Sequence, residues 1–115
     1  MTARSALLRV HDMLEAIDGI NDALDGVGYE EFAQSWILRS AIERGIEIIS
    51  EASRHIPTDL KHEQPTIRWK DIAGIGNILR HEYQRVAPDV LWKVIQDYLP
   101  ELRSALLDIS KTIEY

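Results

Sequence analysis

The sequence predicts an all-α protein, an antiparallel bundle of four or up to five helices. Four stretches place apolar residues at steps of three and four, which is the spacing of one face of an α-helix. No stretch alternates apolar and polar residues as a half-buried strand does. The links between the stretches are short, and short links favour antiparallel neighbours. The 115 residues, 45% of them hydrophobic, are enough for a single domain spanning 1–115.

The first helix is predicted over about residues 4–24, and Gly26 ends it because glycine is favoured just past a helix C-terminus. The second helix is predicted over about residues 30–55. Its apolar residues cover more than half of the helix circumference, which is typical of a helix at the centre of a bundle. Within it, Arg44 and Glu47 have an i,i+3 spacing and are expected to pair.

A polar linker between Pro57 and Pro65 separates the second and third helices and has room for a short helical turn. The third helix is predicted over about residues 68–85. Because the sequence Pro88-Asp89 follows it, we expect the chain to break there.

The fourth helix is predicted over about residues 90–113, with Asp89 as its N-cap. Pro100 falls inside this stretch. Proline removes one backbone hydrogen bond and its ring clashes with the preceding turn, so we expect a kink or a short break near Pro100.

The composition excludes several classes of protein. The chain has no cysteine, which rules out a disulfide scaffold, thiol catalysis and zinc sites with thiolate ligands. No stretch reaches the roughly 18 apolar residues of a membrane span, and the N-terminus lacks the pattern of a signal peptide. We therefore expect a cytoplasmic protein without membrane association. His11, His55 and His62 have no ligand spacing, so neither a metal nor a cofactor is expected.

The net charge of −6 is unevenly distributed along the chain. Residues 1–57 contain five Lys or Arg against ten Asp or Glu, whereas residues 61–93 contain six against four. An acidic chain repels the backbone of nucleic acids, which disfavours non-specific binding driven by charge. If RNA is bound, the segment 61–93 is the one expected to contact it.

Residues 69–83, WKDIAGIGNILRHEY, give the strongest functional signal. They resemble the signature of HepT-like proteins of the HEPN superfamily, in which an Arg is followed, after four to six residues, by His-x-Tyr near the end of a helix. Residues 38–52 (LRSAIERGIEIISEA) and 97–102 (DYLPEL) resemble the second and last helices of the same family. The resemblance covers almost the whole chain, and several matches in order are far more specific than an isolated His-x-Tyr.

The resemblance implies a HEPN-like helical bundle that forms a homodimer. It also implies a cognate partner, a minimal nucleotidyltransferase that serves as the antitoxin to a HepT-like toxin in a type VII pair. Many members of the superfamily are metal-independent endoribonucleases, so RNA is the implied substrate. The resemblance further implies that the partner silences the toxin by transferring AMP to the motif tyrosine, which is Tyr83 in this sequence.

The motif residues suit metal-free RNA cleavage, which needs a base for the 2′-hydroxyl, an acid for the leaving oxygen and a cation near the phosphorane. His81 fits either proton-transfer role because histidine titrates near neutral pH. Asn77 lies one helical turn before His81, on the same predicted face, and fills the polar place that follows the motif arginine in many HEPN sequences. A two-fold axis would bring two such faces together and supply two histidines to one site.

One position departs from the family pattern. The family arginine is separated from the motif histidine by four to six residues. In this sequence, a separation of four residues from His81 gives Gly76, and separations of five and six give Ile75 and Gly74. The nearest cation is Arg80. It is i+4 from Gly76, and helical side chains lean toward the N-terminus, so we hypothesise that Arg80 folds back over Gly76 and replaces the missing cation. Glycines cost roughly 1 kcal/mol each relative to alanine inside a helix, which suggests close approach of a helix or a ligand here.

Functions of different classes remain open. The first is an RNase toxin that is silenced at Tyr83. The second, which Gly76 favours, is a non-cleaving HEPN-family subunit that binds the nucleotidyltransferase. The third is a helical dimer with a structural role. On local evidence alone, His81 would be an ordinary histidine stabilised at a helix C-terminus, and Tyr83 would be an aromatic residue of an interface.

Overall fold

The all-α prediction is confirmed by a computed structural model, which describes residues 3–82 and 87–113 and, within these ranges, the side chains of all residues except 80–82. The described residues form seven helices and no strand. The helices are α1 (Ala3–Ala23), α2 (Tyr29–Gln34), α3 (Trp36–Ser53), α4 (Thr58–His62), α5 (Trp69–Glu82), α6 (Pro88–Asp97) and α7 (Leu99–Ile113). None of these described helices is long and apolar enough to cross a membrane.

Helix α3 lies at the centre of the bundle and packs against α1, α2, α5 and α6, as its wide apolar surface predicts. Its neighbour α5 runs antiparallel to it, because Arg54 at the end of α3 contacts Ala73, whereas Glu47, earlier in α3, lies beside Gly76. The core consists of fully buried aliphatic and aromatic side chains, among them Met13, Ile17, Phe32, Ile42, Ile46, Leu91, Leu102 and Leu106.

The predicted second helix is interrupted at Ser35, so the prediction of one continuous helix was wrong at this point. Ser35 has extended backbone angles (φ −97°, ψ 109°), and its side chain accepts a hydrogen bond from the Leu38 N–H at 3.1 Å. It therefore ends α2 and caps α3. The apolar spacing continues across the break, and for this reason periodicity alone did not reveal a serine in a capping role.

The predicted fourth helix is divided into α6 and α7, which confirms the break expected near Pro100. The break lies at Tyr98, two residues before the proline. The prediction that Asp89 is the N-cap was wrong, because Ala87 occupies that place and Pro88 is the first helical residue. Proline suits that position since it needs no hydrogen-bond partner for an N–H, and Asp89 lies in the first turn, where negative charge is favourable.

Four further features bear on what the sequence predicted. Helix α4 is the short turn expected in the polar linker, and Arg44 pairs with Glu47 at 3.3 Å. The end predicted for the third helix, near residue 85, lies outside the described residues. An ion pair that the sequence did not reveal joins α7 to α1, where Arg103 Nε lies 2.8 Å from Asp18 Oδ1.

Candidate functional site

The candidate motif lies at the end of α5, the helix that packs against α3. Asn77 is exposed, and because the backbone is helical through Glu82, position 81 follows it by one turn. The side chains of Arg80 and His81 lie outside the description, and Tyr83 lies outside the described residues altogether. Their roles in catalysis and modification therefore stay predictions.

Gly76 sits at a close contact between α5 and α3. Its N–H donates to the Ser50 hydroxyl at 3.0 Å, and that hydroxyl donates to the Ala73 carbonyl at 2.9 Å. A Cβ at position 76 would overlap the Ser50 Oγ and lie 2.7 Å from the Ser50 Cβ. Real Cβ atoms do not approach so closely, so the close helix approach expected from the glycines is found at Gly76. At Gly74, by contrast, an added Cβ would meet nothing within 4 Å.

With α3 and α5 packed in this way, position 76 has no room for the motif arginine. An arginine there would have to begin with a Cβ in the space that Ser50 fills, so α3 and α5 would have to separate. The same contact means that the space beside Gly76 is occupied by Ser50 and is not an open path. Arg80 as the replacement cation stays a prediction.

A second polar contact fixes α5 against the end of α3. Arg54 donates from Nη2 to the Ala73 carbonyl at 2.8 Å, so this carbonyl accepts from both Arg54 and Ser50. Arg54 Nη1 also lies 3.8 Å from Glu51 Oε2. Sequence reasoning missed Ser50 and Arg54, since both lie far from the motif in the chain. A small polar residue on one helix and a glycine on another indicate a close contact only once the two helices are known to pack together.

The exposed side of α5 carries a stripe that leads to the motif. Lys70, Gly74 and Asn77 are all exposed, and their spacing of four and three residues places them on one face with position 81. Lys70 and Gly74 also line an open, mainly apolar groove between α5 and α6, where Ile78 is 50% and Val90 47% exposed. Among the described residues, no three histidines and carboxylates lie close enough together to hold a metal ion.

The three tryptophans occupy different environments. Trp92 is half-buried and packs against Tyr29 and Phe32 at ring-centroid distances of 5.6 and 5.4 Å. Trp69 is half-buried too, and its indole N–H donates to the Gln64 carbonyl at 3.2 Å. Trp36 is exposed at the start of α3, so it does not belong to the core.

Comparison with known proteins identifies the family. The family model described as "Ribonuclease HepT-like" matches residues 13–109, which span most of the chain. The chain belongs to the HepT-like family. One HepT-like relative, from Thermococcus cleftensis, is named "Probable ribonuclease HepT" and is 33% identical over 102 residues, which cover 89% of this chain and 93% of the relative.

A second HepT-like relative, from Methanocaldococcus jannaschii, is named "Putative RNase" and is 32% identical over 103 residues, 90% of this chain and 94% of its own. A third, from Caldanaerobacter subterraneus subsp. tengcongensis, carries the same description and is 30% identical over 97 residues, 84% of this chain and 87% of its own. No solved structure matches the chain significantly. The HepT-like match includes both sides of the contact between α3 and α5, together with positions 80, 81 and 83.

Proposed function

We propose that this HepT-like chain is a metal-independent endoribonuclease, the toxin of a type VII toxin–antitoxin pair. The observation that carries the proposal is the family match over residues 13–109, combined with the exposed Asn77 one turn before position 81 on α5. The RNase names of three relatives that align over most of their own length support the same activity.

In the proposed reaction, one His81 takes the proton from a ribose 2′-hydroxyl, and the 2′-oxygen attacks the adjacent phosphorus. The bond from phosphorus to the 5′-oxygen breaks, and a second, protonated histidine donates a proton to that oxygen. The products are a 2′,3′-cyclic phosphate and a 5′-hydroxyl. Arg80 is the proposed cation for the charge that develops on the phosphoryl oxygens, and Asn77 is a proposed hydrogen-bond donor.

This reaction requires a homodimer, because each chain supplies a single motif histidine. The groove between α5 and α6 supports such an assembly, since Ile78 and Val90 expose apolar surface beside the motif and a second copy would bury it. A two-fold axis beside α5 would bring both copies of position 81 into one cleft.

Cleavage of total tRNA in EDTA by the wild type, His81→Ala and Arg80→Ala variants tests the activity. We expect cleavage by the wild type, loss in His81→Ala and a reduction of about a hundredfold or more in Arg80→Ala, since each removes a group used in the transition state. Full activity of His81→Ala would overturn the proposed mechanism. Full activity of Arg80→Ala would overturn the role of Arg80 alone.

We further propose that the partner is a minimal nucleotidyltransferase that silences the toxin at Tyr83. In this step the tyrosine oxygen attacks the α-phosphorus of ATP, pyrophosphate leaves, and the phenolic proton passes to solvent. Intact mass after incubation with the partner and ATP should increase by one AMP group in the wild type and remain unchanged in Tyr83→Phe. An unmodified wild type would argue against silencing by AMP transfer.

The second candidate function is a non-cleaving subunit that binds the nucleotidyltransferase. The contact between Ser50 and Gly76 favours it, because it excludes an arginine from the position where the family motif has one. Absence of tRNA cleavage by both the wild type and the His81→Ala variant, with the partner still bound, would establish this alternative.

A further inference from the structure

A groove between α4 and the start of α5 is lined by basic side chains, although the protein as a whole is acidic. We call it the Trp69 groove; it encloses about 690 Å³, within the range of ligand-binding clefts. The basic and aromatic residues that line it are Lys61, His62, Trp69 and Lys70. No carboxylate lines it among the described residues. The groove between α1 and α3 shows the contrast, since its two arginines share the lining with three carboxylates.

The lysines of the Trp69 groove are available to a ligand. Neither Lys61 nor Lys70 forms an ion pair with a carboxylate in the part of the chain that the structure describes. Lys61 Nζ instead lies 5.9 Å from the centroid of the Trp69 ring, and partial burial lowers the pKa of its ammonium group. A cation that has lost part of its hydration gains more from a phosphate oxygen than a fully solvated one does.

The indole of Trp69 is held in place by its hydrogen bond to Gln64, so its ring is a fixed wall of the groove. Aromatic rings flanked by cations are the usual means of holding an unpaired nucleic-acid strand, because every base can stack on them. We propose that the Trp69 groove binds a single-stranded segment of RNA, with one base stacked on Trp69 and adjacent phosphates at Lys61 and Lys70. This rests on the proposed RNase function and adds where the substrate is anchored.

The position of the groove fits a substrate that continues to the motif. Lys70 lines the Trp69 groove and also begins the exposed stripe that runs through Gly74 and Asn77 to position 81. At 1.5 Å per residue, the 12 residues from Trp69 to position 81 span about 18 Å, or about five nucleotides of a stacked strand. We therefore expect an unpaired stretch of roughly this length beside the scissile phosphate.

Binding of a labelled 12-nucleotide RNA with 2′-O-methyl groups tests the proposal without cleavage, because the attacking hydroxyl is blocked. The double variant Lys61→Gln/Lys70→Gln should weaken binding about tenfold and reduce the slope of log K against log salt by about 1.4, as two lost phosphate contacts predict. The matched control, Arg44→Gln/Lys111→Gln, removes the same charge elsewhere and should change binding less than about twofold.

A second variant, Trp69→Leu, should weaken binding about fivefold or more by removing the stacking surface, with Trp69→Phe restoring most of it. Circular dichroism and thermal unfolding check that both tryptophan variants fold. If Trp69→Leu does not fold, the lysine double variant decides the outcome. If the lysine double variant and its control weaken binding of the oligonucleotide equally, the groove proposal is overturned. It is also overturned if the protein binds ATP or duplex RNA as strongly as it binds the oligonucleotide. If the wild type cleaves tRNA and the groove variants bind the oligonucleotide as tightly as the wild type, the groove proposal is overturned and the RNase function stands. If the wild type binds the oligonucleotide through the groove but does not cleave tRNA, the proposed RNase function fails and the groove stands.

Discussion

Helix α3 meets α1 and α5 through a glycine in each case, yet the two contacts are built differently. At α1, a Cβ added to Gly45 would lie 2.9 Å from Cγ1 and Cδ1 of Ile20. At α5, a Cβ added to Gly76 would overlap the hydroxyl of Ser50, which is fixed by hydrogen bonds to both Ala73 and Gly76. The outer atoms of an isoleucine can rotate away, whereas the serine has a short side chain and two hydrogen bonds to lose.

The two contacts hold α1 and α5 against α3 by different interactions. The contact with α1 is apolar and depends on volume, so small shifts of side chains can absorb a change. The contact with α5 is polar and directional, and it fixes the height and rotation of the helix that carries Asn77 and position 81. A small displacement there would move the motif as a unit, which makes the α5 contact the one on which the proposed site depends.

The largest effect is expected from Gly76→Ala. The added methyl group forces α3 and α5 apart or breaks both hydrogen bonds of Ser50, and we expect a loss of about 2–4 kcal/mol in the free energy of unfolding. Urea unfolding measures it. In a Ser50→Gly background, the same alanine should cost about 1–2 kcal/mol less, because the atoms it would meet are gone. Equal cost in both backgrounds would show that Ser50 is not the obstacle.

Ser50→Ala should have the next largest effect, about 1–2 kcal/mol, because the Gly76 N–H and the Ala73 carbonyl both lose the hydroxyl that joins them to α3. Ser53→Ala is the matched control. That serine is also buried on α3, but its hydroxyl donates to the Ser50 carbonyl within the same helix and, among the described residues, forms no hydrogen bond to a second helix. A larger loss for Ser53→Ala than for Ser50→Ala in thermal and urea unfolding would contradict the assigned role of the contact.

Gly45→Ala should be much milder than Gly76→Ala, with stability within about 1 kcal/mol of the wild type. Alanine gains roughly 1 kcal/mol in helix propensity, and this offsets the cost of moving the end of Ile20. The double variant Gly45→Ala/Ile20→Val, which lacks the Cδ1 atom, is compared with Ile20→Val alone. The difference from the cost of Gly45→Ala in the wild type gives the part of the steric cost that comes from Cδ1. A loss as large as that of Gly76→Ala would erase the distinction between the two contacts of α3.

The sequence predicted the helical class and the central position of α3 because both depend on apolar spacing, which is local. It did not predict the interruption at Ser35, since the spacing of apolar residues continues across it. The N-cap of α6 was predicted at Asp89, two residues too late, because Pro88 already begins the helix and Ala87 is its cap.

The candidate site was predictable only in part. The resemblance singled out Asn77, His81 and Tyr83, and the helix places positions 77 and 81 one turn apart. It could not reveal why position 76 is a glycine, because the answer is Ser50, 26 residues earlier and on another helix. Such a reason depends on the pairing of two helices, and no local pattern encodes that pairing.

The smallest effect, and the only stabilisation, is expected from Gly74→Ala. This glycine lies inside α5, two residues before Gly76, but an added Cβ meets open space. Unfolding in urea should therefore show a gain of about 0.5–1 kcal/mol from helix propensity alone. If Gly74→Ala raises the free energy of unfolding at concentrations where the chain is monomeric, but not where it is dimeric, a second copy approaches α5 at Gly74. A loss at every concentration would contradict the exposure of this face, and the contrast between the two glycines of α5 would fail with it.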